Sequence, residues 1–145
     1  MRAAGYDLVA ELNIRPHLAA LARNEILLTL PEGRGGQTMQ RVSMMGMDVL
    51  LSPNVLSMAS HTGAVVLPAF VGDDADSKDP MGVRLVIDRP LALPADGRDR
   101  NTLAAGLQSL ADVFDSWIRA CPHLWLAWSG PSLGWWGRSP QSAIP

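Results

Sequence analysis

A chain of 145 residues has the length of one domain, able to bury roughly two-thirds of the surface its unfolded state exposes around a single core. Apolar residues make up 48% of it and charged residues 18%, yet its longest apolar stretch, Ala64 to Val71, is far shorter than the roughly 18 residues of a membrane-spanning helix. The net charge is −2, and eleven arginines and one lysine are scattered without the basic stripe that nucleic-acid binding requires.

The N-terminal segment carries Arg2, Asp7 and Glu11 and lacks the continuous apolar region of a secretory signal, so a cytoplasmic location is expected. From Tyr6 to Asn24, Leu8, Val9, Leu12, Leu18 and Leu21 fall near helical spacing, and Pro16 divides them into two expected short helices. Glu25 to Leu30 is a near-continuous apolar run closed by Pro31 and Gly33, which predicts a buried strand ending in a tight loop. Gln40 to Met45 reads as a short strand that Gly46 ends. Ser52 is the expected N-cap of a helix with Pro53 at its first position, an apolar face of Val55, Leu56 and Ala59, and a stop at Gly63.

Ala64 to Val71 reads as a second buried strand, with Pro68 placing that residue at an edge or a strand end. Asp73, Asp74, Asp76 and Asp79 lack the closing glutamate and the glycine of a calcium loop, so they predict a solvated surface loop and no metal site. Gly82 to Asp88 alternates as a third strand. Leu103, Leu107, Leu110, Phe114 and Trp117 or Ile118 recur at steps of three and four, predicting a helix over Thr102 to Ala120 that Pro122 ends. Cys121 stands alone, which excludes an intrachain disulfide and a cysteine-based zinc site and leaves it as a small apolar side chain near a helix end. Strands alternating with helices point to an α/β layer fold, with residues 1–128 as the domain and 129–145 as a tail rich in Trp, Gly and Pro.

The candidate site is Glu32, Gly33 and Arg34, directly after the first expected strand. Such a loop offers backbone N–H groups, a carboxylate that orients neighbours and a guanidinium able to grip phosphate or carboxylate in two places. Pro31-Glu32-Gly33-Arg34 is followed by Ser52-Pro53, then by Thr62-Gly63-Ala64-Val65-Val66-Leu67-Pro68, and finally by Pro122 with Trp125. That order resembles the C-terminal half of the lysophospholipid and lipid A biosynthesis acyltransferases over roughly Glu25 to Trp128.

The resemblance implies a partial acyltransferase-like α/β fold, a short mixed sheet flanked by helices, with Glu32, Gly33 and Arg34 holding an acceptor phosphate. It implies transfer of a fatty acyl group from acyl-CoA or acyl carrier protein to a lipid hydroxyl, once an N-terminal half completes the fold. The catalytic pair of that family, a histidine with an acidic residue five positions on, is missing here: His17, His61 and His123 are followed at that distance by Ala22, Val66 and Trp128. No catalytic residue and no cofactor is therefore assigned, and the chain is expected to be inactive alone. A second expectation is a non-catalytic binding or interaction module, peripheral on the inner membrane or self-associating through a sheet edge, with the tryptophans of the tail at a membrane interface. A third reading, a hydrolase, has little support, since there is no Gly-x-Ser-x-Gly elbow and Trp128-Ser129-Gly130-Pro131-Ser132 lacks its spacing.

Overall fold

The computed structural model describes residues 2–3, 6–7, 13–30, 39–74, 78, 82–93 and 99–125. Strands and helices share the chain, as an α/β class requires, and the strands pair as two-stranded antiparallel sheets among the described residues. The first pair is β1 (Arg2–Ala3) with β2 (Tyr6–Asp7). Tyr6 therefore begins no helix.

Helix α1 (Ile14–Ala22) is capped by Asn13, whose side chain accepts from the N–H of Arg15 at 3.2 Å. Pro16 lies in its first turn, where the missing N–H costs nothing, so the proline starts this helix and does not divide it.

Strand β3 (Gln40–Met44) runs back through Met45 and Gly46 into β4 (Met47–Leu51), with Met44 opposite Met47 and Val42 opposite Val49. Met45 and Gly46 have φ of 58° and 73°, the two left-handed residues that a two-residue hairpin turn needs to match the twist of its strands. Alternation turns Val42, Met44, Val49 and Leu51 inward.

Helix α2 (Asn54–Thr62) ends as its sequence suggests, with Gly63 left-handed at φ 73° and its N–H donating to Ala59 O at 2.8 Å. Its start lies one residue later than Ser52 predicts. Pro53 is the cap, and the buried Ser52 hydroxyl accepts a long 3.4 Å bond from the N–H of Asn54.

Strand β5 (Ala69–Asp73) pairs with β6 (Val83–Ile87), Val71 opposite Leu85. The longest helix, α3 (Arg100–Ala120), is capped by the Asp99 side chain, which accepts from Thr102 N at 3.2 Å. Cys121 ends it, half-buried, and a 3-10 turn, Pro122–Leu124, follows. Leu107, Leu110, Ala111 and Ile118 of α3 meet the inner faces of β3 and β4 and the fully buried Leu56 of α2, and this is the core.

Two expected strands are corrected. Glu25 to Leu30 forms no strand: Ile26 is 98% exposed, and a continuous apolar run becomes a buried strand only where neighbours cover both of its faces. Ala64 to Pro68 is also outside the sheet, with Val65 and Leu67 exposed, and the ladder begins only at Ala69. Pro68 marks the strand end, as its missing N–H predicts; it accepts from Asp88 N at 2.9 Å and has nothing to donate back.

Candidate functional site

The two apolar segments that stay out of the sheets instead face each other across a cavity of about 230 Å³. Its floor is α3, with Leu110, Phe114, Trp117 and Ile118, and one wall is α2, with Val55, Met58 and Ala59. Ala64 to Phe70 forms one lip, Leu27 to Leu30 the other, and Leu21 and Trp125 close the ends. The side chains that line it are apolar except for the Thr29 hydroxyl and the tryptophan indoles, and backbone groups of the two extended lips add the remaining polar surface. Phe70 stacks on Trp117 with ring centroids 5.2 Å apart and planes at 27°, and Phe114 tilts against the same indole at 5.9 Å, so the aromatic part of the floor is held from two sides.

Local sequence explains why this space stays open. Gly63 turns the chain out of α2, and Pro68 delays the start of β5, so Ala64 to Pro68 crosses the gap between helix and sheet as an extended strip. Leu91 N donates to Val66 O at 2.9 Å and Asp88 N to Pro68 O, which fixes that strip from its outer side. The opposite lip is anchored at its start: Glu25 N donates to Ala20 O at 3.1 Å, and the Glu25 carboxylate is paired with the Arg23 guanidinium at 2.5 and 2.9 Å. The hydrogen bond from Arg23, aided by its charge, holds the Glu25 carboxyl below its ordinary value and raises the Arg23 guanidinium in turn.

Glu32, Gly33 and Arg34 lie outside the described residues, as do Asp76, Asp79 and the tail with Trp128, Trp135 and Trp136. In sequence, Glu32 to Arg34 follow Leu30 of the cavity lip by two to four positions, and four residues span at most about 14 Å. The Thr62 to Pro68 stretch, the most specific part of the resemblance, supplies the other lip. Its Thr62 hydroxyl donates to Met58 O at 2.8 Å and accepts from Ala64 N at 3.3 Å, securing the turn out of the helix.

The histidines stand apart from this cavity. His17 is on α1, His61 is exposed in the last turn of α2, and none of the three lines the cavity wall. His123 meets Asp73 at 3.1 Å, a histidine–carboxylate pair fifty positions apart and open to solvent. It ties the turn after α3 to the end of β5. Among the described residues no cluster of three His, Cys, Asp or Glu could hold a metal ion, and no helix is long and apolar enough to cross a membrane.

Sequence reasoning missed the cavity itself. Its signal is present in Leu27 to Leu30 and Val65 to Leu67, two runs too apolar for solvated loops, whose composition predicts strands equally well. The His123–Asp73 pair had no local signal, since neither residue sits in a motif that names the other. No family model and no curated protein matches this sequence.

Proposed function

We propose that the chain is a lipid-binding module: the cavity takes a fatty acyl chain, and Glu32, Gly33 and Arg34 recognise the anionic headgroup to which that chain is attached. The observation that carries this reading is the apolar cavity of about 230 Å³, slightly below the roughly 300 Å³ at which clefts for whole small ligands begin. A space of that size suits a segment of hydrocarbon. Burying six methylenes there is worth about 5 kcal/mol before the cost of association, and a charge-assisted hold by Arg34 adds about 1.5 to 3 kcal/mol.

The resemblance to lipid acyltransferases supports the same ligand class from a separate direction. It also implies acyl transfer from acyl-CoA or acyl carrier protein, with a cytoplasmic, peripheral place on the inner membrane. That reaction needs a histidine and an acidic residue from an N-terminal half, so this chain binds acyl lipid and does not by itself transfer the acyl group.

Calorimetric titration of the full chain with decyl phosphate, decanol and inorganic phosphate tests the reading. Decyl phosphate binds best, decanol more weakly, and phosphate alone weakest. Ala64→Trp, which fills the cavity from its lip, weakens both ten-carbon ligands at least tenfold. Arg34→Ala weakens decyl phosphate by about 1.5 to 3 kcal/mol, more than Arg98→Ala or Arg100→Ala does, and leaves decanol unchanged. Absence of saturable binding by both ten-carbon ligands, or indifference to Ala64→Trp, overturns the proposal.

A further inference from the structure

The β5–β6 pair turns one face to the core side, where Phe70 stacks on Trp117, and the other to solvent. On the solvent face of β6 stand Val83, Leu85 and Ile87, at 55%, 65% and 58% exposure. The hydrogen bonds Asp88 N to Pro68 O and Asp74 N to Gly82 O fix the phase of the ladder. Phe70 with Val86 and Gly72 with Arg84 are then the pairs that bond to each other, while the N–H and C=O groups of Val83, Leu85 and Ile87 turn away from β5. Among the described residues none of these outward groups has a backbone partner.

The outer edge of β3, by contrast, is covered at its hairpin end. Gln108 of α3 accepts from Ser43 N at 2.9 Å and donates to Ser43 O at 2.8 Å, and Asp115 accepts from Met45 N at 3.0 Å, so α3 side chains satisfy the outer edge of β3. β6 has no such cover among the described residues. Between Val83 and Ile87 it has no proline and no bulge, and its one charged residue, Arg84, stands on the face opposite Val83, Leu85 and Ile87.

We infer that the outer edge of β6 docks a second copy of this chain, strand to antiparallel strand about a two-fold axis through Leu85. The edge is complementary to itself. Leu85 meets the partner's Leu85, Val83 meets the partner's Ile87, and the outward backbone groups of all three residues fall in bonding register. On the other face Arg84 lies opposite the partner's Val86, so no arginine is set directly against its like. The result is a four-stranded sheet with an unbroken apolar column on its solvent face.

This surface is separate from the acyl cavity and is tested without ligand, by sedimentation and by directed crosslinking. Wild-type chain shows a concentration-dependent monomer–dimer equilibrium, and Leu85→Lys, folded by circular dichroism, raises the dimer dissociation constant at least tenfold. In a Cys121→Ser background, Leu85→Cys forms a disulfide dimer under mild oxidation, because bonded pairs place Cα atoms about 5.5 Å apart, within disulfide range. Val83→Cys does not, since the two copies of that residue lie about 14 Å apart along the strands. A monomer at all concentrations, an unaltered dimer in Leu85→Lys, or crosslinking of Val83→Cys as fast as Leu85→Cys overturns the inference.

Discussion

Gln108 does with its side-chain amide what a neighbouring strand would do with its backbone, donating to and accepting from the same residue, Ser43. Replacing it by leucine leaves both Ser43 groups to solvent and removes two hydrogen bonds from the link between α3 and β3. Gln108→Leu should lower stability by about 1 to 2 kcal/mol in urea unfolding with an unchanged slope, and no change in midpoint would show the pair contributes nothing. Partners 65 positions apart share no local pattern, so nothing in the sequence announced this contact. Arg23 and Glu25 are two positions apart and still escaped notice, because a lone charge pair reads as solvated surface. Since the Glu25 carboxyl is depressed on folding, what the pair contributes is present above the unfolded carboxyl value and is lost as pH falls through the folded one. In Arg23→Gln a carboxyl-detected NMR titration should find Glu25 moved upward; an unmoved titration would mean the pair does not form in solution.

Helices were legible at the scale of the element because their signals are local. The i, i+3, i+4 recurrence from Leu103 to Ile118 places Leu107, Leu110 and Ile118 in the core, and Gly63 ends α2 in the left-handed conformation that favours glycine. Leu107→Ala should cost about 2 to 5 kcal/mol, since Leu107 is fully buried between helix and sheet. Gly63→Ala should cost about 1 kcal/mol although its Cβ would meet open space, because φ of 73° is unfavourable for alanine. Equal thermal stability of Gly63→Ala and wild type would show that the turn relaxes at no cost. Strands were less legible, because an apolar run states only that burial is wanted and not what supplies it. Glu25 to Leu30 and Ala64 to Pro68 carry strand composition, yet they line a cavity. β4 was missed because Met45-Gly46 is a weaker hairpin signal than Asn-Gly and lies inside a methionine-rich stretch.

For the whole molecule, part of the apolar excess in the composition lies on two surfaces that the described residues leave uncovered. One is the cavity, the other the β6 edge, and both were foreshadowed only as apolar surface in need of a partner. The proposed anion loop is legible as composition, beginning within two residues of Leu30 in the sequence. On the proposed lipid-binding reading, the position of the histidines is what separates binding from catalysis. Attack of a lipid hydroxyl on an acyl thioester requires a base within hydrogen-bonding reach of that hydroxyl, and His17, His61 and His123 all lie off the cavity lining, the last engaged by Asp73. The full chain given acyl-CoA or acyl carrier protein with lysophospholipid or lipid A precursor should therefore bind the lipid yet release no free thiol above a heat-killed control. Asp73→Asn, which frees His123 without touching the cavity, should leave that result unchanged. Turnover by the wild-type chain that is lost on substituting His17, His61 or His123 would make the module an enzyme in its own right and would locate the base.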